Sequence, residues 1–278
     1  MYSDIPMLRA EEKIPDKTGI TIRTLNKQSG SRCGIHWHDY YTLDIILAGN
    51  GTHYINSTAY KIERGGIFLI RPSDIHYIDG SEDFHGFFIR FTEQAIPEKY
   101  RGIVHNCRNT MQVGEKELDA LRVYCEAVQS GNVRLAEGCA SPWESDIIAH
   151  NFSLLLLALA SDTPVDGTDL KSDEKITTLM HYLDIHFREN ITVEKAAAIA
   201  NVSPSYFPAY FRKNVGTSYM EHLLSLRINY ACALLGSGFS ITDSCFSSGF
   251  GSLSHFNSIF KRKMGITPSK YKKQQMNP

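Results

Sequence analysis

Two stretches near the C-terminus decide how this chain is read: Ser203-Pro-Ser-Tyr-Phe207-Pro-Ala-Tyr-Phe211-Arg-Lys213, followed by Gly216, and Ser252-Leu-Ser-His-Phe256-Asn-Ser-Ile-Phe260-Lys-Arg-Lys263, followed by Gly265. Ser203/Ser252, Ser205/Ser254, Phe207/Phe256, Phe211/Phe260 and Gly216/Gly265 recur at a constant offset of 49 positions. A fixed offset between matching residues marks a duplicated structural unit. Each copy opens on a serine suited to cap a helix, carries two phenylalanines four apart on one helix face, and closes on glycine.

Outward from each copy lies a short, small-residue helix. Thr192 caps one carrying Ala196, Ala197, Ile199 and Ala200, and Asn201-Val202 makes the turn into Ser203. Ser240-Ile-Thr-Asp243 caps the other, and Gly249-Phe250-Gly251 makes the turn into Ser252. Pro204 occupies the first position after its cap, where proline is tolerated. Helix, tight turn, helix is the helix-turn-helix unit, whose second helix is presented to the DNA major groove. A longer helix, from about Ser218 to Leu235, holds the two units apart. Another helix starts near Ser172 and carries Ile176, Leu179, Met180, Leu183 and Phe187.

Residues 173–273 resemble the DNA-binding domain of the AraC/XylS family of bacterial transcription regulators. The resemblance rests on Arg227-Ile-Asn-Tyr-Ala231-Cys-Ala-Leu234-Leu235 in the long helix. It rests also on Ser248-Gly-Phe250, Ser254-His-Phe256, Phe260-Lys261, Gly265-Ile-Thr-Pro268 and Tyr271. It implies two recognition helices in adjacent major-groove segments about one helical turn (~10 bp) apart, a homodimer, a promoter, and RNA polymerase as a partner. It places base-facing residues at Ser205, Pro208 and Ala209, with Tyr206 beside them, and at Ser254, Asn257 and Ser258, with His255 beside them. Many relatives carry Arg where Ala209 and Ser258 stand, so the bidentate grip on guanine is missing here. Pro208 removes a backbone donor and crowds the carbonyl of Pro204, so the first recognition helix is expected to be disturbed. Base reading then falls more on Asn257 and His255. Arg212, Lys213, Lys261, Arg262 and Lys263 are expected on phosphates, which position the protein and make binding salt-dependent.

Charge divides the chain the same way. Residues 1–170 hold 16 Lys and Arg against 23 Asp and Glu, a charge of −7; residues 171–278 hold 13 against 7, a charge of +6. Only the basic half suits a polyanion. The six cysteines form no CxxC pair, which argues against a zinc finger and fits free thiols in the cytoplasm. The most apolar run, Leu154 to Ala160, is too short to span a bilayer, so no membrane is expected.

The first half changes pattern. Thr21–Leu25, Leu43–Leu47, Gly51–Ile55, Ile67–Ile70 and Phe84–Phe91 read as short strands punctuated by glycine and proline. Glu115 to Gln129 has helical spacing, and Ser141-Pro142-Trp143-Glu144 reads as a capping box opening a helix with Ile147, Ile148, Phe152, Leu155, Leu156 and Leu159. That helix is apolar over more than one face, so it must be buried on several sides: against its own barrel and the neighbouring helix, or in part against a second subunit.

The expected fold is therefore two-domain α+β. A cupin-like β-barrel at 1–110 carries a dimerising helical hairpin at 111–160. A linker at 161–172 leads to an all-α double helix-turn-helix domain at 173–278.

His36-Trp-His38, the Gly66–Pro72 stretch and Pro72-Ser-Asp-Ile-His76 resemble the two motifs of a cupin barrel, the fold common in AraC-family sensor domains. Alternation puts His36 and His38 on one strand face, and the fold brings His76 beside them. Three readings stay open: a pocket for a small inducer, hydrogen bonding at the barrel mouth, or a metal site. The first assigns His36, His38, Tyr40, Tyr54 and His76 to the ligand, with Trp37, Tyr41 and Tyr77 as further aromatic neighbours, and a carbohydrate as its class. Against metal, Thr42 stands where metal-dependent cupins place Glu, and Asp44 is a weak substitute; no cofactor is expected. A metal-dependent cupin enzyme with an appended DNA-binding domain is the competing function, and the same missing carboxylate counts against it. His53, His85, His105, His150, His181, His186 and His222 read as structural or surface residues.

Overall fold

A computed structural model describes residues 6–14, 18–27, 32–56, 58–72, 74–79, 84–162 and 173–276. The expected linker falls almost wholly outside them, as does Ser172.

The first half is built on two five-stranded sheets. In chain order the elements are β1 (Met7–Leu8), α1 (Ala10–Lys13), β2 (Ile20–Lys27), β3 (Arg32–His38), β4 (Tyr41–Ala48), β5 (Gly51–Ile55), β6 (Thr58–Ile62) and β7 (Gly66–Ile70). They continue with β8 (His76–Asp79), β9 (Phe84–Phe91), α2 (Glu98–Asn106), β10 (Thr110–Gln112), α3 (Glu115–Glu137) and α4 (Glu144–Ala158). One sheet runs β1-β3-β8-β5-β6, the other β10-β7-β4-β9-β2. The two are separate sheets, not one closed ladder. All five strands expected from sequence are present. The sequence reading lacked β1, β6, β8, β10 and α2, all short or weakly alternating.

Period-two alternation sorts each strand. On β4 and β9, Ile46, Phe84 and Phe88 enter an inter-sheet cluster with Ile55, Ile62, Phe68, Ile70 and Ile78. Leu43, Ile45, Phe87, Ile89 and Phe91 point the other way, into a core with Leu118, Leu121, Cys125, Ile148 and Phe152 of the hairpin. The helices α3 and α4 meet closely at Gly131, where a Cβ would lie 2.7 Å from Ile148 Cγ1. Arg134 and Glu144 tie them together at 2.6 Å. The expected capping box is partly formed: regular helix starts at Glu144, not at Pro142, while the Glu144 carboxylate accepts from Ser141 Oγ at 3.4 Å as well as from Arg134.

The second half comprises α5 (Glu174–His186), α6 (Val193–Ile199), α7 (Phe207–Val215), α8 (Tyr219–Gly236), α9 (Ile241–Ser247), α10 (Leu253–Met264) and α11 (Pro268–Met276). Serine and threonine caps are formed: Thr192, Ser218, Ser240 and Ser252 each accept from a backbone N–H three residues on, at 3.0–3.3 Å. Gly216 and Gly265 end the two recognition helices in the left-handed conformation. The α8 helix is apolar on two faces because it serves two cores. Leu223, Tyr230 and Leu234 pack with α5, α6 and α7; Leu224, Ile228, Ala231, Cys232 and Leu235 pack with α9, α10 and α11.

The two turns differ. Asn201 (φ 48) and Gly249 (φ 85) both adopt the left-handed conformation just after the first helix, but the second turn carries one extra residue, Gly251. A Cβ on Gly249 would lie 2.5 Å from the carbonyl oxygen of Arg188. Gly249→Ala is therefore expected to destabilise the C-terminal domain by at least ~1–2 kcal/mol from the backbone conformation, with the backbone clash added. A thermal melt checks this; an unchanged midpoint would mean that the turn relaxes freely.

Candidate functional site: a histidine cluster and two recognition helices

Between the sheets the interior is apolar at one end and polar at the other. His36 and His38 (β3) and His76 (β8) face inward together. Ring centroids are 4.2 Å apart for His36–His76, 5.1 Å for His38–His76 and 6.1 Å for His36–His38. His53 joins them on the structural side of its reading: it is 1% exposed, and its Nε2 lies 3.0 Å from His76 Nδ1. The register explains this. His53 and Ile55 share a face of β5, Ile55 pairs with His76, and His36 pairs with His76 across β3 and β8. Thr42, Asp44 and Arg90 come from the opposing sheet, on the inward side of β4 and β9.

The hydrogen bonds fix tautomers. His38 Nδ1 lies 2.6 Å from the Tyr40 carbonyl, which can only accept, so Nδ1 carries the proton. His38 Nε2 then accepts from the Thr42 hydroxyl at 3.2 Å. Both nitrogens are committed, and Thr42 replaces the carboxylate a metal site would want. Among the described residues no group of three or more His, Cys, Asp or Glu is arranged to hold a metal. Burial, with the neighbouring His36, pulls the His38 pKa down to about 3, and His76 is lowered well below its usual value by burial and by His38, His36 and His53. His38 and His76 are thus neutral near pH 7. His76 Nε2 is buried with no hydrogen-bond partner in the protein, an arrangement that favours an incoming polar group.

Of the other residues assigned to the ligand, Tyr40 stacks on His38 at 4.3 Å with the rings 8° from parallel. Tyr54 is not brought to the cluster. It sits on the other face of β5, stacked on Tyr77 at 4.4 Å. Tyr41 also turns away, into the helix-facing core, where it donates to Glu93 at 2.7 Å. Trp37 points outward between His36 and His38, and that outward face is not solvent. With Ile75, next to His76, it is buried in the C-terminal core, edge-on to Phe187 at 5.9 Å and Tyr230 at 6.4 Å.

The recognition helices expose the expected faces. On α10, Ser254, His255, Asn257, Ser258, Lys261 and Arg262 are exposed while Phe256, Ile259 and Phe260 are buried. Lys263 differs from its neighbours in having protein partners: its ammonium donates to Glu221 at 2.8 Å and to Ser225 at 3.1 Å. On and just before α7, Ser205, Tyr206, Pro208, Ala209, Arg212 and Lys213 are exposed while Phe207, Tyr210 and Phe211 are buried. Regular helix starts only at Phe207, because Pro208 has no N–H to give the Pro204 carbonyl. Ser203 still caps the preceding turn, accepting from Tyr206 N at 3.4 Å.

A buried polar histidine cluster between the sheets, joined through a buried tryptophan to paired helix-turn-helix units, defines a DNA-binding transcription regulator with a sensor domain. The chain belongs to the AraC family: residues 21–107 match the AraC-like ligand-binding domain and residues 196–274 the helix-turn-helix domain. The HTH-type transcriptional activator RhaS of Salmonella arizonae and that of Escherichia fergusonii are each 25% identical over 245 residues, 84% of this chain and 85% of theirs. Among solved structures, ToxT from Vibrio cholerae is similar at 14% identity and a TM-score of 0.41, over 94% of this chain and 100% of that one. Among the described residues no helix is long and apolar enough to cross a membrane.

Proposed function

We propose that this protein is a cytoplasmic, ligand-responsive activator that binds promoter DNA through α7 and α10 and a small polyhydroxylated metabolite, carbohydrate in class, at the histidine cluster. The carrying observation is the alternation on β3: His36 and His38 face the inter-sheet histidine cluster while Trp37, between them, is buried in the DNA-binding domain. Any ligand that moves β3 must repack Trp37 against Phe187 and Tyr230. Hydroxyls suit the cluster because His76 Nε2, donor or acceptor according to its tautomer, finds a partner in either case. The similarity to RhaS, an activator by name, supports the direction of control. Val123 on α3, and Ile147, Leu154 and Leu157 on α4, stay exposed, and that apolar hairpin surface supports a homodimer. RNA polymerase is the further partner of an activator.

The test measures operator affinity with and without a panel of sugars and sugar acids. In the parent, one of them is expected to change affinity by fivefold or more, the lower end of typical coupling. In Trp37→Leu the ligand still raises the thermal midpoint of the protein by mass action, but the change in operator affinity falls toward unity. A variant that keeps the full response removes Trp37 from the coupling; a panel without any binder removes the carbohydrate class.

A further inference from the structure

The duplicated units put different chemistry at equivalent places. Where α10 carries His255, Asn257 and Ser258, the first unit carries Tyr206, Pro208 and Ala209. All six side chains are exposed, and Tyr206 is 54% exposed. In a helix-turn-helix unit the N-terminal residues of the second helix meet the base edges. In α10 that end includes Asn257, whose amide can pair with adenine N6 and N7 at once. At the matching end of the first unit there is no Arg, Lys, Asn, Gln, Asp or Glu between Ser203 and Phe211. The two hydroxyls nearest the start are already engaged: Ser203 Oγ lies 3.3 Å from Ser205 Oγ and accepts from Tyr206 N. What remains toward the groove is a methyl, a pyrrolidine ring and the phenol of Tyr206, whose single hydroxyl cannot make the paired contact that guanine or adenine recognition uses. Arg212 and Lys213 stand one turn further on, at the phosphate end.

The apolar feature that the major groove offers is the thymine C5 methyl group. We propose that the first recognition unit is a thymine-methyl reader, with Ala209, Pro208 and Tyr206 as its specificity-determining residues, while α10 reads adenine through Asn257. The half-site under α7 is then a thymine-containing box with no required guanine. This inference rests on the reading that both recognition helices dock in the major groove.

The experiment selects binding sites from a random duplex library with the full-length protein, then replaces thymine by deoxyuridine, one position at a time, in the enriched site. Two boxes about one helical turn apart are expected. Asn257→Ala should relax preference in one of them, which assigns that box to α10. In the other box, each methyl removed should weaken binding about fourfold, the factor expected for burying one such group. Ala209→Arg should change the selected base beneath it from thymine to guanine. Three outcomes overturn the proposal while leaving DNA binding intact: a required guanine in the α7 box, equal affinity for deoxyuridine and thymine there, or an unchanged selection with Ala209→Arg. Failure to enrich any site would overturn the DNA-binding reading itself, and this inference with it.

Discussion

Phe256→Ala is expected to destabilise the second helix-turn-helix unit by about 3–5 kcal/mol, the range for removing a large aromatic from a packed core, and to abolish operator binding. Phe256 is fully buried, with ring centroids 5.2 Å from Phe250 and 5.5 Å from Phe260, which in turn lies 5.5 Å from Tyr271. One truncation opens a void among three other rings that converge from the turn, α10 and α11. A loss of 3–5 kcal/mol is a large part of a domain's usual 5–15 kcal/mol. Phe207→Ala should cost as much but strike the other core, where Phe207 lies 5.4 Å from Tyr219 and 5.7 Å from Phe211. Because α8 presents separate faces to the two cores, each variant should release chiefly its own recognition helix. Amide exchange during denaturant titration distinguishes them: α10 amides lose protection in Phe256→Ala, and α7 amides in Phe207→Ala. Arg262→Ala, at an exposed position, serves as the control and should stay within about 0.5 kcal/mol of the parent. A Phe256→Ala loss below ~1 kcal/mol would contradict the packing described here.

The C-terminal domain was legible because its signals are local. Serine caps, glycine stops and phenylalanines four apart each specify structure within a dozen residues, and the repeat supplied an internal check. Pro208 was flagged for a lost donor, and the lost donor is what delays α7 to Phe207. The sensor domain was legible only as far as alternation reaches. Period two put His36 and His38 on one face, but nothing local says which face of β5 is inward, since His53 and Tyr54 are both amphipathic. Pairing of β5 with β8 turns His53 inward and Tyr54 outward by setting Ile55 opposite His76. Trp37 is the same problem between domains. Its strand face would meet solvent in an isolated sheet, and no pattern within β3 encodes that α5 and α8 cover it. The spacing of Glu144 to Ser141 reads correctly as a contact, at 3.4 Å, but nothing local encodes that an arginine ten residues earlier shares the carboxylate at 2.6 Å.

Acid should loosen the sensor domain at a pH where most surface carboxylates are still ionised. His38 in the folded protein stays neutral down to about pH 3, because burial and the adjacent His36 oppose its protonation, against 6.5 for an ordinary imidazole. Well above pH 6.5, His38 is neutral in both states and costs nothing. As pH falls below 6.5 the unfolded chain takes up a proton that the folded chain refuses, so folding stability falls with pH until about pH 3. At pH 5 the gap of 1.5 pH units from 6.5 corresponds to a loss of about 2 kcal/mol from His38 alone, at ~1.4 kcal/mol per unit. His76 acts in the same direction. In the C-terminal domain so does His222, lowered to about 4 by burial. Glu93 adds to the loss only at lower pH: burial pushes its carboxyl up, but His105, Tyr41 and Arg101 outweigh this and hold it below the usual range. Asp74 works the other way, since burial raises its pKa and its protonation favours the folded state. The window between pH 6.5 and 5 therefore belongs mainly to the histidines. Urea unfolding midpoints of the parent at pH 7.5, 6 and 5, read by tryptophan fluorescence, should fall steadily. His38→Asn, which removes the titrating group, should start less stable at pH 7.5 but lose about 2 kcal/mol less on the way to pH 5. Parallel profiles for parent and variant would mean that His38 is protonated in the folded protein. The pocket at pH 6 would then hold a cation, and its ligand would be an acid, not a neutral polyol.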